Sequence, residues 1–437
     1  MGRLHRGGVF ASLLVIAGLV ACVGDDPDVF VGPGPGPDGS TSGGDGGTSL
    51  DDTSDPPDAG DGDGPSTVTC SAPLEACGTA CVDKQTSGQH CGRCDRACGQ
   101  GSSCSAGRCS PVVLASGLAS PSALAVADSV VVIALGDILV RCGKDGCGQG
   151  PTHLWQSTAW TLVPGALSLS ADRTQAFFLG RTTTPPFPPE TNLYRVNVGG
   201  TAPLIPSHQT TALVPSYVLG NSTRLATDAR EHAIASPYRN HRCFQASCET
   251  VALASNQETP TSITLTPTHY AWTIRDGSGG ATVQTCPRPP KGATSYEGAD
   301  DCGTPLALAP SITQSTSDHV ASHENVVYWA DWSQNGGATG RVLACAPSGC
   351  NGAPTVIAAA EQAIDGLAVD ASGVYWTNGS AGTVRVCRDL VQGCGTNAET
   401  IASGASDPGP IALDDGFVYF IARGGTPDTG ALLKVAK

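Results

Sequence analysis

Short apolar runs, each broken by a polar turn, recur along most of the chain. Six phrases carry the pattern: "PSALAVADSVVVIA", "PGALSLSADRTQAFFLG", "PTSITLTPTHYAWTI", "DHVASHENVVYWA", "IDGLAVDASGVYWTN" and "PGPIALDDGFVYFIA". Each reads as a short strand, a turn, and a second strand rich in β-branched and aromatic residues. The "RLATDAREHAIAS" unit, from Arg224 to Ser236, is the weakest match. A third strand ends at Cys142, Val196, Cys243, Cys286, Cys345, Cys387 and Val435. These anchors are about 42 to 59 residues apart, a spacing that suits blade-like repeats with loop insertions. Gly136-Asp137 and Asn378-Gly379 supply tight turns before third strands. Beyond the first residues no segment keeps a helical period. The prediction is an all-β chain whose residues 111–437 form a seven-bladed β-propeller, with six or eight blades as neighbouring counts.

The last unit stops at "LLKVAK", its third strand. Earlier fourth strands read "PTVIAAA" (Pro354 to Ala360) and "ETIASG" (Glu399 to Gly404). "PVVLASG", Pro111 to Gly117, matches them and precedes the first unit, so 111–117 is expected to pair beside 430–436 and close the ring. Ten cysteines fall in local pairs after third strands: Cys142 with Cys147, Cys243 with Cys248, Cys286 with Cys302, Cys345 with Cys350, and Cys387 with Cys394. Residues flanking a four-residue hairpin loop face each other within disulfide reach. Each pair is expected to clamp the turn between strands three and four, contributing roughly 2 kcal/mol. The second and seventh units lack a pair; the second has the insert "TTTPPFPPE" instead.

The start of the chain is different in kind. Arg3 and Arg6 precede an apolar run, Val9 to Val20, too short to span a bilayer, as in a secretory signal. Leu19-Val20-Ala21-Cys22 resembles a bacterial lipobox, which implies a signal peptide over 1–21, lipidation of Cys22 and, with Val23 following, residence at the outer membrane or cell surface. Residues 22–67 are Asp-, Gly- and Pro-rich, and the stretch from Gly24 onward has no Lys or Arg; it reads as a disordered acidic linker. Most of the net charge of -15 lies there, so that charge describes the tether rather than a partner. Asp58, Asp61 and Asp63 lack EF-hand spacing, so no cofactor is expected, weak calcium binding aside.

Setting Cys22 aside leaves an even number of the 19 cysteines, the parity of a fully disulfide-bonded exported chain. Eight of them, Cys70, Cys77, Cys81, Cys91, Cys94, Cys98, Cys104 and Cys109, crowd into residues 68–110 with few large apolar side chains. Such a unit needs covalent staples, with a pairing the spacing leaves open. Cys91-Gly92-Arg93-Cys94 also has the spacing of a redox motif or half a zinc site. The segment resembles short cysteine-rich modules near the N-termini of exported myxobacterial proteins. The "LAVD…VYWTN" phrase resembles blades of the YWTD and SMP-30-like propeller families, some of which are calcium-dependent lactonases.

Candidate chemistry is sparse. A lactonase would need carboxylates converging at the central channel; Asp331, Asp365, Asp370 and Asp414 are near strand ends, where turn capping is their ordinary role. His319 and His323 have metal-binding spacing on a helix, yet their stretch reads as strand and turn. Trp329 and Trp376 read as core between blades, and Trp332 could stack on a sugar at a rim. No nucleophile elbow, zinc-protease motif or phosphate loop occurs, and the low basic content argues against nucleic acid. The expectation is a monomeric, exported, membrane-anchored scaffold using one propeller face to bind a protein or glycan, without catalysis. The alternatives are a metal-dependent hydrolase or lactonase of the same fold, and a purely structural envelope protein.

Overall fold

The computed structural model describes residues 68–157, 160–182, 191–200, 224–235, 238–244, 251–257, 259–275, 281–288, 302, 304–308, 319–331, 340–426 and 428–437. The expected signal and linker, Cys22, Trp332, the "TTTPPFPPE" insert and Cys248 lie outside the described residues.

Among the described residues, six four-stranded antiparallel sheets and one three-stranded sheet follow one another along the chain. Sheet 1 runs from Pro121 to Gln156, sheet 2 (three strands) from Trp160 to Asn197, sheet 3 from Arg224 to Gln257 and sheet 4 from Thr259 to Ala307. Sheet 5 runs from Val320 to Glu361, sheet 6 from Ile364 to Ala402, and sheet 7 from Pro408 to Ala436. Sheet 7 takes its fourth strand from Val112–Leu118, antiparallel to Gly430–Ala436, with Gly430 opposite Leu118 and Lys434 opposite Val112. The first strand of each sheet touches the first strand of the next, and that of sheet 7 touches that of sheet 1. The fold is therefore an all-β propeller with six four-stranded blades.

Period-two alternation is weak in the second strands because both of their faces are covered by neighbouring sheets. Gly373–Asn378 is buried throughout, and Trp272, Trp329 and Trp376 are at most 2 % exposed at equivalent second-strand positions. Fully burying such a side chain contributes about 4–6 kcal/mol as an upper value. Gly366 and Gly409, in adjacent first strands, bring two backbones together: a methyl group on Gly366 would run into the Gly409 carbonyl.

Up-and-down strand order sorts the connections. Turns between strands one and two, and connections between three and four, leave from one end of the ring, here the turn end. The other connections leave from the opposite end. The cysteine-rich module belongs to the same compact unit as the sheets, Ser66–Lys437. It holds two short hairpins, Glu75–Cys77 with Ala80–Val82 and Cys104–Ser105 with Arg108–Cys109. Its four disulfides are Cys70–Cys81, Cys77–Cys94, Cys91–Cys104 and Cys98–Cys109.

Candidate functional site

The aspartates expected near a channel do not converge. Asp370 and Asp414 sit in strand-one-to-two turns at the turn end, and each caps its own turn. Asp370 accepts from the backbone N–H of Ser372, and Asp414 from those of Gly416 and Phe417. Each also receives a lysine from the following sheet: Lys437 contacts Asp370, and Lys144 lies 2.8 Å from Asp414. Burial pushes both carboxyls up, but their hydrogen bonds, led by those from the lysines, bring each below the usual aspartate range. The rings of Tyr375 and Tyr419 face the same ammonium groups, 5.5 and 5.9 Å from centroid to Nζ. Burial, then the Asp414 charge, drives the Tyr419 hydroxyl upward; it stays protonated and donates to Asp414 at 2.9 Å.

A third seam, between sheets 3 and 4, has the same plan in a drier setting. Arg288 ion-pairs with Asp228 in the preceding turn and with Glu231, both at 2.7 Å, and donates to the Thr266 carbonyl. Glu231 is fully buried and also accepts from the Tyr270 hydroxyl at 2.6 Å. In all three seams the cation stands two residues past the third-strand anchor: Cys142 to Lys144, Cys286 to Arg288, Val435 to Lys437. That spacing is written in "RCGK", "TCPR" and "KVAK", and no search for catalytic motifs would find it.

Asp331 and Asp365 stand at the opposite end, one paired with Arg341 and the other 3.6 Å from Arg423. Arg423 also lies 3.5 Å from Asp407, and its guanidinium packs on Gly409, where any side chain would collide with it. This two-acid, one-base cluster is half exposed. Nearby, buried Glu361 accepts from Trp376 Nε1 at 3.0 Å, Asn378 Nδ2 at 2.8 Å and Arg385 at 2.6 Å. Trp376 thus packs as core and also fixes a carboxylate. Trp329 is core, and His323 ends the strand Val320–His323 rather than lying on a helix.

Sulfur joins Cys142 to Cys147, Cys286 to Cys302, Cys345 to Cys350 and Cys387 to Cys394, with Cα separations of 4.6, 5.4, 5.7 and 5.6 Å. The fifth expected disulfide, from Cys243 to Cys248, is not among the described ones. Cys243 stands in the third strand of sheet 3, opposite His232, whereas Cys248 lies outside the described residues. The geometry of the four differs from a clamp across strands three and four. Fourth strands begin later, at Thr152, Thr355 and Glu399, so Cys147, Cys350 and Cys394 lie inside the connection. The bond folds that connection outward against the edge of the preceding sheet. Cys147 N–H donates to the Leu114 carbonyl of sheet 7 at 3.1 Å, and Cys394 N–H to the Ile357 carbonyl of sheet 5 at 2.7 Å. Gly395 adds a parallel bridge to Ala358, its carbonyl accepting from Ala359 N–H at 2.9 Å. Cys350 Sγ lies 3.5 Å from the Leu308 carbonyl, just past the short edge strand of sheet 4. An unpaired edge invites pairing with another chain, and these loops cover it.

In the module, Cys91 and Cys94 bond to different partners. The sulfurs of Cys91, Cys98 and Cys109 lie within 4.8 Å of one another, but each is held in a disulfide, which removes the thiolates that zinc or redox chemistry needs.

No known family model matches the chain, and no curated protein does. Solved structures do. The WD40 β-propeller domain of Doa1 superposes with a TM-score of 0.51 at 12% identity, over 74% of this chain and 96% of that one. A chain of the mitotic checkpoint complex gives 0.51 at 13% identity, over 71% and 88%. The WD40 domain of Pan2 from Neurospora crassa gives 0.47 at 11%, over 75% and 94%. At these identities the likeness is one of fold: the chain has the β-propeller architecture of the Doa1 domain.

Proposed function

We propose that the protein is a lipid-anchored, exported binding scaffold, not an enzyme. Its folded part is a seven-bladed propeller over 111–437, with the three-stranded sheet 2 as a blade. The observation that carries the reading is the dispersal of the acids. Asp370 and Asp414 cap turns and hold lysines at one end, while Asp331 and Asp365 hold arginines at the other. No carboxylate pair is left to act as acid and base or to cradle a metal among them.

The turn end is taken up by disulfide-closed loops and the cysteine-rich module. With Cys22 lipidated and residues 22–67 as tether, the module joins the membrane side, and the opposite end faces outward with Asp365, Asp407 and Arg423 on its rim. A protein or glycan partner would meet that end. Glycan-array binding and envelope-vesicle binding by the full chain, compared with Asp407→Ala/Arg423→Ala, test the reading: the variant should lose binding while keeping its melting temperature. Palmitate labelling that is lost in Cys22→Ser tests the anchor. A melting temperature that climbs with calcium, abolished by Asp365→Asn, would replace this reading with the lactonase one.

A further inference from the structure

We infer that the four-disulfide module is the latch of the seam between sheets 6 and 7, standing in for the clamp loop that sheet 7 does not have. At three seams the outer edge of one sheet is covered by the disulfide-closed connection of the next: sheet 7 by Cys142–Cys147, sheet 4 by Cys345–Cys350, and sheet 5 by Cys387–Cys394. By that rule the edge of sheet 6, Glu399–Ala402, should be covered by a connection from sheet 7. Sheet 7 has none, because its fourth strand arrives as Val112–Leu118 from before the first sheet.

The module fills that place. Its strand Arg108–Cys109 lies against Glu399–Ala402. The sulfurs of Cys91, Cys98 and Cys109 share one apolar cluster with Ile401, Ala402, Val435 and Ala436. Two arginines grip the end of the third strand, where a clamp loop would otherwise begin. Arg96, with its side chain 1 % exposed, donates to Glu399 at 2.9 Å and to the Ala436 carbonyl at 3.1 Å; Arg93 donates to the Lys437 carbonyl at 2.8 Å. Burial lowers both guanidinium pKa values, so these cations are held at a desolvation cost that their acceptors must offset.

Sheet 2, which also lacks a cysteine pair, shows the same substitution in miniature. Arg141 of sheet 1 donates to the Val198 carbonyl at 2.6 Å. Val198 and Lys437 are equivalent positions, each two residues past its third-strand anchor. Where sulfur does not tie a seam, an arginine from the neighbouring body holds the same carbonyl. The module is thus part of the ring's closure rather than an appended domain.

Hydrogen exchange followed by mass spectrometry on the full chain tests this. In Arg93→Ala/Arg96→Ala, peptides covering 399–402 and 430–437 should exchange at least tenfold faster, while 355–361, latched by Cys387–Cys394, keeps its protection. Unchanged exchange at 399–402 and 430–437, or an equal rise in every sheet, overturns the inference. If the double variant does not fold, Glu399→Gln is read at the same peptides: it leaves both carbonyl contacts and should raise exchange severalfold at 399–402 alone, and no rise there counts against the latch. The reciprocal variant, Cys387→Ser/Cys394→Ser, should release 355–361 and leave 399–402 protected; release of both together would mean the seams are not separately latched.

Discussion

The two ends of the ring are built on different terms. At the turn end three kinds of tie run between bodies: lysine or arginine to the preceding turn, clamp loop to the preceding edge, module to the sixth and seventh sheets. At the opposite end, Glu361 gathers Trp376, Asn378 and Arg385 into a buried knot, and the Asp365–Arg423–Asp407 cluster is half exposed. A propeller has no chain connection between its outer strands, so the perimeter of each seam must be closed by side chains or loops. This chain closes it at one end and leaves charged groups accessible at the other.

The largest effect should come from the driest tie. Glu231→Gln leaves Arg288, whose side chain is 2 % exposed, without its buried carboxylate. Breaking one partner of a buried pair costs about 3–5 kcal/mol, an amount that denaturant titration resolves easily. A loss under about 1 kcal/mol would place that seam among screened surface pairs and erase the contrast between the ends.

The neighbouring residue makes the other seam of the third sheet, the one with sheet 2, pH-sensitive. His232 is fully buried, tilted against the ring of Phe177 at 4.3 Å between centroids, and bonded through Nδ1 to the Thr227 hydroxyl at 3.0 Å. Burial lowers its pKa to about 4, with Asp228 raising it and Arg195 lowering it less strongly. The folded state holds it neutral while the unfolded chain protonates it near pH 6.5, so stability is full above that pH and falls as pH drops toward 4. The loss amounts to about 3 kcal/mol. Melting curves across that window should slope downward with acid, and His232→Phe should flatten the slope. A wild-type curve that is already flat would mean that the ring reaches water.

Cutting one clamp is a smaller change. Cys387→Ser/Cys394→Ser should lower stability by about 2 kcal/mol through the freed loop and expose the edge Thr355–Glu361. Dimerisation of this variant, seen by light scattering, would show that the loop also guards against edge pairing; a monomer with unchanged stability would reduce the clamp to ornament.

Much of this was legible in order and little of it in depth. Period and turn chemistry mark the second strands well, because "VYW" and "YAW" are β-formers whichever sheet covers them. "PVVLASG" reads as a fourth strand for the same reason, and it pairs with Gly430–Ala436 one residue later than 111–117. The cysteine spacing suggests a hairpin clamp, whereas the second cysteine of Cys142–Cys147, Cys345–Cys350 and Cys387–Cys394 lies inside a longer connection. What decides its place is the preceding sheet's edge, a partner some 30 residues or more away that local spacing cannot register. Arg93 and Arg96 were invisible as anchors, since a surface arginine and one that grips a backbone carbonyl read alike until the third dimension is added.

The smallest predicted effect bears most directly on what the ring is for. Arg423 is 36 % exposed, and its two carboxylate contacts, at 3.5 and 3.6 Å, are longer than those of Lys144 to Asp414 and Arg288 to Glu231 at the turn end. Exposed pairs of this kind contribute about 0–1 kcal/mol, and without the guanidinium Asp407, 47 % exposed, can turn to solvent. Arg423→Ala should therefore shift the denaturation midpoint barely at all, by about 0.5 kcal/mol or less. The packing of its guanidinium on Gly409 is the one term that could enlarge the change. A loss as large as that of Glu231→Gln would make the cluster a structural tie like those at the turn end, and it would then not be free to meet a partner.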